Sequence, residues 1–591
     1  MTSPPTTAAR TMCDVFQQTI ARNPQATAIR TVGDGCTLSF AEWGAQAADI
    51  AAGLAGIGVR RGDSVALLMT NRPEFYPIDV AVQHLGAVPF SIYNTSSPEQ
   101  MAYLLGDSGA RVVVCEEQYV PSLMAARLDK TVPLVCIDGK PDGTLTLDEV
   151  IGLGDPNFDF EKTWRAVQPD DVMTLIYTSG TTGDPKGVQV THANMVAMVA
   201  GAVQLWQSTA EDRIVSFLPS AHIADRLSGL YHLMAVGNQL TTVADRKELA
   251  AALLDVRPTI FGAVPQVWQK LKAAIEARLD ENDGAKKVLA SWALDIGRQV
   301  SDRELEGRSV PLLLGIQHRA ADALVLSKLR SAIGLNVPKL AISAAAPLSG
   351  EVLRFFNGIG IPLSDAWGMS ELSGVVTMSA KGQVRPGTVG KPLDSVQIRI
   401  ADDGEILVRG PMVMKGYLNK PDQTAETIGT DGWVHTGDIG EIDGDGYLSI
   451  VDRKKDLIIN ASGKNMSPSN IENWIKAYSP LIGQAVAIGN DRKYNVALIS
   501  LDSDAVVAVS HRYALPIDPT ELASHPAVYQ SISDAVSQAN TKLSRVEQIK
   551  KFRIVPDFWE PGSEVLTPTL KVRRKAVDLR YAELINELYA E

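Results

Sequence analysis

Cysteine is scarce in this chain of 591 residues. There are four, Cys13, Cys36, Cys115 and Cys136, all in the first quarter and none in a CxxC spacing. That argues against a disulfide frame or a zinc site and reads as reduced thiols, small and mostly buried. Long apolar runs are missing too: none reaches the roughly 18 residues of a membrane span, and the longest are broken by Gly, Asp or Gln. The opening stretch MTSPPTTAARTMCD has no apolar core of the kind a secretory signal needs. There is no basic surplus: 56 Lys and Arg stand against 68 Asp and Glu, a net charge of −12. Nucleic acid is therefore not the expected partner, since phosphate backbones demand clustered Lys and Arg. No heptad run is sustained and no repeat or low-complexity tract occurs, so coiled coil and disorder are poor fits.

What is present is ordinary globular material, 45% apolar and 21% charged, enough for several domains. The first two thirds alternate helical and strand-like segments. Residues 40–56 and 74–85 have helical periodicity. Short apolar runs at 64–69, 87–92, 110–115, 134–137, 174–177, 213–218, 239–243, 259–263 and 339–343 read as buried strands. Such alternation predicts layered α/β structure with mostly parallel strands. After about residue 390, strands separated by Gly and Asp turns predict an antiparallel, β-rich subdomain. From 471 onward, helix and strand return, ending in one long helical stretch over 574–589. The fold class expected is α/β: a large N-terminal domain, 1–451, and a small mobile α+β C-terminal domain, 452–591.

The most informative stretch is residues 177–188, YTSGTTGDPKGV, which follows a strand-like run. Glycines let a backbone approach phosphate closely, hydroxyls and amides donate to its oxygens, and Lys186 adds charge. Walker A, GxGxxG and GxSxG patterns all fail elsewhere in the chain.

At this point the chain resembles the adenylate-forming superfamily of acyl-CoA synthetases, adenylation domains and luciferases. The glycine-rich loop is the first shared motif. The others follow in the family's order: LPSAHIADR at 218–226, SAAAPLS at 343–349, DAWGMSE at 365–371, HTGD at 435–438, DRKKDLIINASGKN at 452–465 and LTPTLKVRRK at 566–575. Within the superfamily, the nearest likeness is to long-chain fatty acid–CoA ligases. The resemblance implies that ATP and a fatty acid give acyl-AMP and pyrophosphate, after which CoA displaces AMP.

It also implies roles. Thr178, Ser179, Gly180, Thr181, Thr182 and Gly183, with Lys186, would hold phosphates. Glu371 and Thr178 would bind Mg²⁺ as the metal cofactor. Ala344, Ala345 and Ala346 would form the adenine wall. Asp365, Trp367, Gly368, Met369 and Ser370 would complete the nucleotide site, with Trp367 stacked on adenine. Asp438 and Arg453 would take the ribose. Lys571 would bridge carboxylate and α-phosphate, and His222 would sit where carboxylate and acyl chain meet. Asp452 would be the hinge, with Gly463 and Lys464 on the CoA side. Two departures stand out: three alanines where the family often has glycine, and Trp367 where it usually has Tyr.

Each residue has a blander reading, such as a core tryptophan, a turn aspartate or a structural histidine, and the order of the motifs decides against it. Residues 227–236 and 261–268 are candidate acyl-tunnel lining. The basic cluster Lys550, Lys551, Arg553, Lys571, Arg573, Arg574 and Lys575 offers a surface for CoA phosphates or for an anionic bilayer. A cytoplasmic location is expected, with peripheral attachment at the inner face of the membrane as the alternative. The competing functions are a fatty acyl-AMP ligase that loads a carrier protein and a non-catalytic acyl- or nucleotide-binding protein.

Overall fold

The computed structural model describes residues 9–126, 132–178, 184–281, 283–380, 382–461, 464–513, 516–567 and 570–590. The apolar runs become strands as expected. Val88–Ser91, Ser64–Leu68, Val112–Cys115, Leu134–Cys136 and Thr144–Thr146 form an all-parallel sheet in that order. Val112–Cys115 is buried along its whole length, which is why it reads as a continuous apolar run and does not alternate. The helix Phe40–Gly56 packs nearby. It starts at Ser39, whose hydroxyl takes the Glu42 N–H while the Glu42 carboxylate returns to the Ser39 N–H, a reciprocal cap.

A second sheet runs Arg213–Ser216, Gln239–Thr242, Thr27–Thr31 and Thr37–Ser39, parallel but for its last pair. A third sets Ile260–Ala263, Leu340–Ser343 and Leu363–Met369 in parallel, then turns antiparallel through Gly374–Met378 to Lys391–Pro392. The β-rich subdomain is an antiparallel sheet of Gln397–Ile400, Glu405–Arg409, Val434–Ile442 and Leu448–Arg453. The C-terminal lobe packs the helices Pro468–Ala477 and Pro526–Asn540 on a sheet of Ile482–Ile488, Asn495–Leu501 and Ile549–Ile554.

Two details differ from the reading of the sequence. The last helix is two, Arg574–Arg580 and Ala582–Ala590. Between them Tyr581 is buried, its hydroxyl donating to Asp557 at 2.8 Å and accepting the Trp559 indole N–H at 2.9 Å. Cys36 is exposed, whereas Cys13, Cys115 and Cys136 are buried. Among the described residues no helix is long and apolar enough to cross a membrane.

Candidate active site

The site grows from the ends of parallel strands, where open α/β sheets place ligands. Leu340–Ser343 and Leu363–Met369 are neighbours, with Ser343 opposite Asp365. Their C-terminal ends therefore bring Ala344, Ala345 and Ala346 beside Asp365 and Trp367. The Asp365 carboxylate accepts the N–H groups of Leu348 at 3.3 Å and Ala366 at 3.2 Å, yet burial still pushes it up to about 7. Ala345 lies in the left-handed region at φ 72°, a conformation glycine adopts freely and alanine does not. Gly368 is required by space: a Cβ there would meet the Gly374 carbonyl oxygen at 1.8 Å. That close approach closes one tight hairpin, with Trp367 on its first strand opposite Thr377 and Glu371 in its turn.

Glu371 is buried in the short turn Ser370–Leu372. Its Oε1 accepts the Tyr417 hydroxyl at 2.7 Å, and Lys186 Nζ lies 4.7 Å from the centre of the same ring. The strand pairing explains the meeting. Lys186–Thr191 is the middle strand of a small sheet, with Val172–Thr178 on one side and Gly416–Tyr417 on the other. Thr178 stands opposite Lys186, and Tyr417 opposite Val188. Among the described residues no set of three His, Cys, Asp or Glu could enclose a metal alone. One carboxylate and one hydroxyl, completed by phosphate oxygens and water, is the kind of site Mg²⁺ takes, so Glu371 and Thr178 fit it.

Asp438, in Val434–Ile442, is paired across the ladder with Arg453. Its Oδ1 takes Arg453 Nε at 2.8 Å and its Oδ2 takes the Trp367 indole N–H at 2.8 Å. The residue before Arg453, Asp452, is buried and holds the start of Pro468–Ala477. It accepts the Ser467 hydroxyl at 2.6 Å, the Ser469 N–H at 3.0 Å and the Ser469 hydroxyl at 3.1 Å.

Lys571 comes from the other lobe. Leu566 and Val572 bridge, Thr567 N–H donates to the Lys571 carbonyl, and Lys571 N–H donates to the Thr567 hydroxyl, both at 2.9 Å. The turn closes with Leu570 at φ 63°, strained for a leucine, immediately before the lysine. The Lys571 side chain is reached by solvent yet hemmed in by both lobes. That crowding is the main force pushing its ammonium down to about 8. Arg453 and Lys455 push the same way, while Asp438 and Glu371 oppose them.

His222 faces this cluster. Burial first, and then the charge of Lys571, hold its imidazole at about 4, so it is neutral at pH 7. Its Nδ1 accepts the Ala224 N–H at 3.1 Å, which leaves the proton on Nε2. The segment before it is anchored by two residues whose importance the sequence did not reveal. Arg226 is wholly buried and donates to Ser220 O, Asp79 Oδ2, Tyr231 Oη and Ser91 Oγ at 2.8–3.0 Å. Asp225 accepts the Ser216 hydroxyl at 3.0 Å and is raised to about 7 by burial. Tyr417 was missed as well; its only local sign is the Gly-Tyr pair at 416–417.

Not every candidate joins the cluster. Ser179, Gly180, Thr181, Thr182, Gly183 and Gly463 lie outside the described residues. Lys464 is exposed, its backbone exchanging hydrogen bonds with Asn460 in a turn of its own. Residues 227–236 and the rings of Phe261 and Trp268 are packed in apolar cores. Part of the basic cluster is already spent within the lobe: Arg574 grips Glu472 with both terminal nitrogens, at 2.6 and 2.9 Å, and Arg553 reaches Glu587 at 3.5 Å.

Comparison with known proteins settles the family. Residues 16–418 match the model described as AMP-binding enzyme, and residues 455–591 match the model of its C-terminal domain. The chain belongs to the AMP-binding enzyme family. This AMP-binding enzyme is 51% identical over 450 residues to a putative fatty-acid–CoA ligase, fadD11, of Mycobacterium tuberculosis, covering 76% of this chain and 79% of that one. It is 38% identical over 552 residues to the long-chain-fatty-acid–CoA ligase FadD15 of the same organism, covering 91% and 90%. In fold it matches an anthranilate CoA ligase, AuaEII, solved with anthranoyl-AMP. The TM-score is 0.74 at 20% identity, over 98% of both chains. The α/β fold, with its large N-terminal part and smaller C-terminal lobe, is thus that of an AMP-binding enzyme.

Proposed function

We propose that the chain is an ATP-dependent, AMP-forming long-chain fatty acid–CoA ligase. The two relatives named as fatty-acid–CoA ligases support the substrate class. The observation that carries the chemistry is Lys571, delivered by the C-terminal lobe into the charge field of Asp438, Arg453 and Glu371 and beside neutral His222.

The first step joins two anions. A carboxylate oxygen of the fatty acid attacks the α-phosphorus of ATP; the new P–O bond forms as the bond to the β-phosphate oxygen breaks, and pyrophosphate leaves. The nucleophile is already ionised, so the barrier is mainly electrostatic, and preorganised donors and cations lower it. Lys571 would cancel charge between the incoming carboxylate and the α-phosphate. His222 Nε2–H would donate to the carboxylate without adding charge. Lys186 and residues 178–183 would hold the outer phosphates. Mg²⁺, when bound, neutralises phosphate charge, and Glu371 with Thr178 would hold it. Trp367 would stack on adenine against Ala344, Ala345 and Ala346. Asp365 would meet the base, and Asp438 and Arg453 the ribose. In the second step, the CoA sulfur attacks the acyl carbonyl carbon, the bond to AMP breaks, and the thiol proton passes to solvent.

Lys571 and Lys464 lie on the same lobe but in separate turns, which favours a swivel that exchanges them. We place its axis at Asp452, between a domain over 1–451 and one over 452–591. The test is pyrophosphate release across carboxylates of increasing chain length, with thioester measured with and without CoA. Release that rises with chain length and thioester that forms only with CoA supports the reading. Acyl-AMP accumulating in the presence of CoA contradicts it.

A further inference from the structure

Trp367 has a feature that a stacking ring does not need. Its indole N–H donates to Asp438 Oδ2 at 2.8 Å, and Arg453 Nε takes the other oxygen of the same carboxylate at 2.8 Å. Both Trp367 and Asp438 are buried, and they come from different sheets. Burial alone does not demand such a bond here: Trp43 and Trp206 bury their indole N–H groups with no partner among the described residues. A phenylalanine has no donor, and a tyrosine carries its hydroxyl at the tip of the ring, away from where the indole nitrogen stands.

A carboxylate offers about four lone-pair sites. With one site on each oxygen filled, by Trp367 on Oδ2 and by Arg453 on Oδ1, one acceptor site per oxygen remains. That is the acceptor pattern for two adjacent hydroxyls. We propose that Trp367 is a positioning residue: its indole N–H fixes the Asp438 carboxylate so that both ribose hydroxyls are read at once. The aromatic side chain of the adenine site thereby also sets discrimination at the sugar. The proposal rests on the assignment of adenine and ribose made under Proposed function.

The test compares ATP, 2′-deoxy-ATP and 3′-deoxy-ATP in fatty-acid-dependent pyrophosphate release. Trp367→Phe and Trp367→Tyr keep an aromatic face and lose the donor. The expected result is a KM for ATP raised about tenfold or more, as for loss of a hydrogen bond to a charged group. The KM for the fatty acid stays within about twofold, and the preference for ATP over both deoxy-nucleotides shrinks. Adding Trp367→Phe to Asp438→Ala has little further effect on the KM for ATP, because the two act as one unit. Should the smaller rings fail to fold, replacing the indole of Trp367 by benzothiophene keeps its shape without the N–H, and the same shifts are expected. An equal loss on all three nucleotides, or additive effects of the two substitutions, would overturn the proposal. If the unaltered protein releases no pyrophosphate with any carboxylate, the ligase reading itself fails, a different outcome from either.

Discussion

The Tyr417 hydroxyl donates to Glu371 at 2.7 Å, and the Lys186 ammonium lies against the face of the same ring. One aromatic side chain thus links the candidate metal carboxylate to the lysine of the candidate phosphate loop. Burial and the neighbouring carboxylate push the phenol well above its ordinary range, so it remains a donor at any working pH. Tyr417→Phe leaves Glu371 Oε1 buried without that donor, at a cost of about 1–3 kcal/mol. Urea unfolding should show this loss, and the Mg²⁺ concentration for half-maximal adenylation should rise.

Lys571 predicts a pH limb. Its ammonium is lowered to about 8, so the cation is present below that pH and is lost as pH rises through it. Since kcat/KM reports the free enzyme, kcat/KM for ATP in adenylation should fall above pH 8. Thioester formation from supplied acyl-AMP should show no such limb. His222, held at about 4, contributes no inflection between pH 6 and 8.

Ala345 stores strain. At φ 72° an alanine pays about 1–2 kcal/mol relative to its preferred regions, while glycine adds up to about 1 kcal/mol of unfolded-chain entropy. Ala345→Gly should therefore be neutral to stabilising by about 1 kcal/mol in thermal or urea unfolding. A clear destabilisation would contradict the strain.

The lobes touch through Lys270, whose Nζ reaches Asp504 at 2.9 Å and Asp502 at 3.3 Å, and through Asn473 Nδ2, which donates to Pro347 O at 3.2 Å. Lys270 and Asp504 are exposed enough for solvent to screen the pair, which is worth at most about 1 kcal/mol. Lys270→Ala should slow adenylation up to about fivefold and spare thiol transfer from acyl-AMP. Raising the salt concentration should mimic it. Single-turnover rates for the two half-reactions separate the effects.

The sequence was most legible where structure is local. Buried parallel strands such as Val112–Cys115 announce themselves as apolar runs, and the helix Phe40–Gly56 by its periodicity and cap. The residue types of the candidate site are read from the order of the motifs. Its contacts are not. Tyr417 meets Glu371 across 46 residues and Trp367 meets Asp438 across 71, and no periodicity encodes either meeting. Leu570 at φ 63° runs against its own propensity and is held there by Thr567 and Lys571. The break at Tyr581 depends on Asp557 and Trp559, partners on another segment. Residues 227–236 read as candidate tunnel lining, but core and tunnel share one composition, and most of their apolar side chains belong to one buried cluster.

The most direct measurement is ATP–pyrophosphate exchange dependent on fatty acid, in the unaltered protein and in Lys571→Ala, with thioester formation from supplied acyl-AMP and CoA followed in both. The unaltered protein should exchange only when fatty acid is present. The variant should lose exchange by about a hundredfold or more, as expected when a preorganised charge is removed, yet form thioester at nearly the original rate. Full exchange without the Lys571 ammonium, or an equal loss of both half-reactions, would contradict the account.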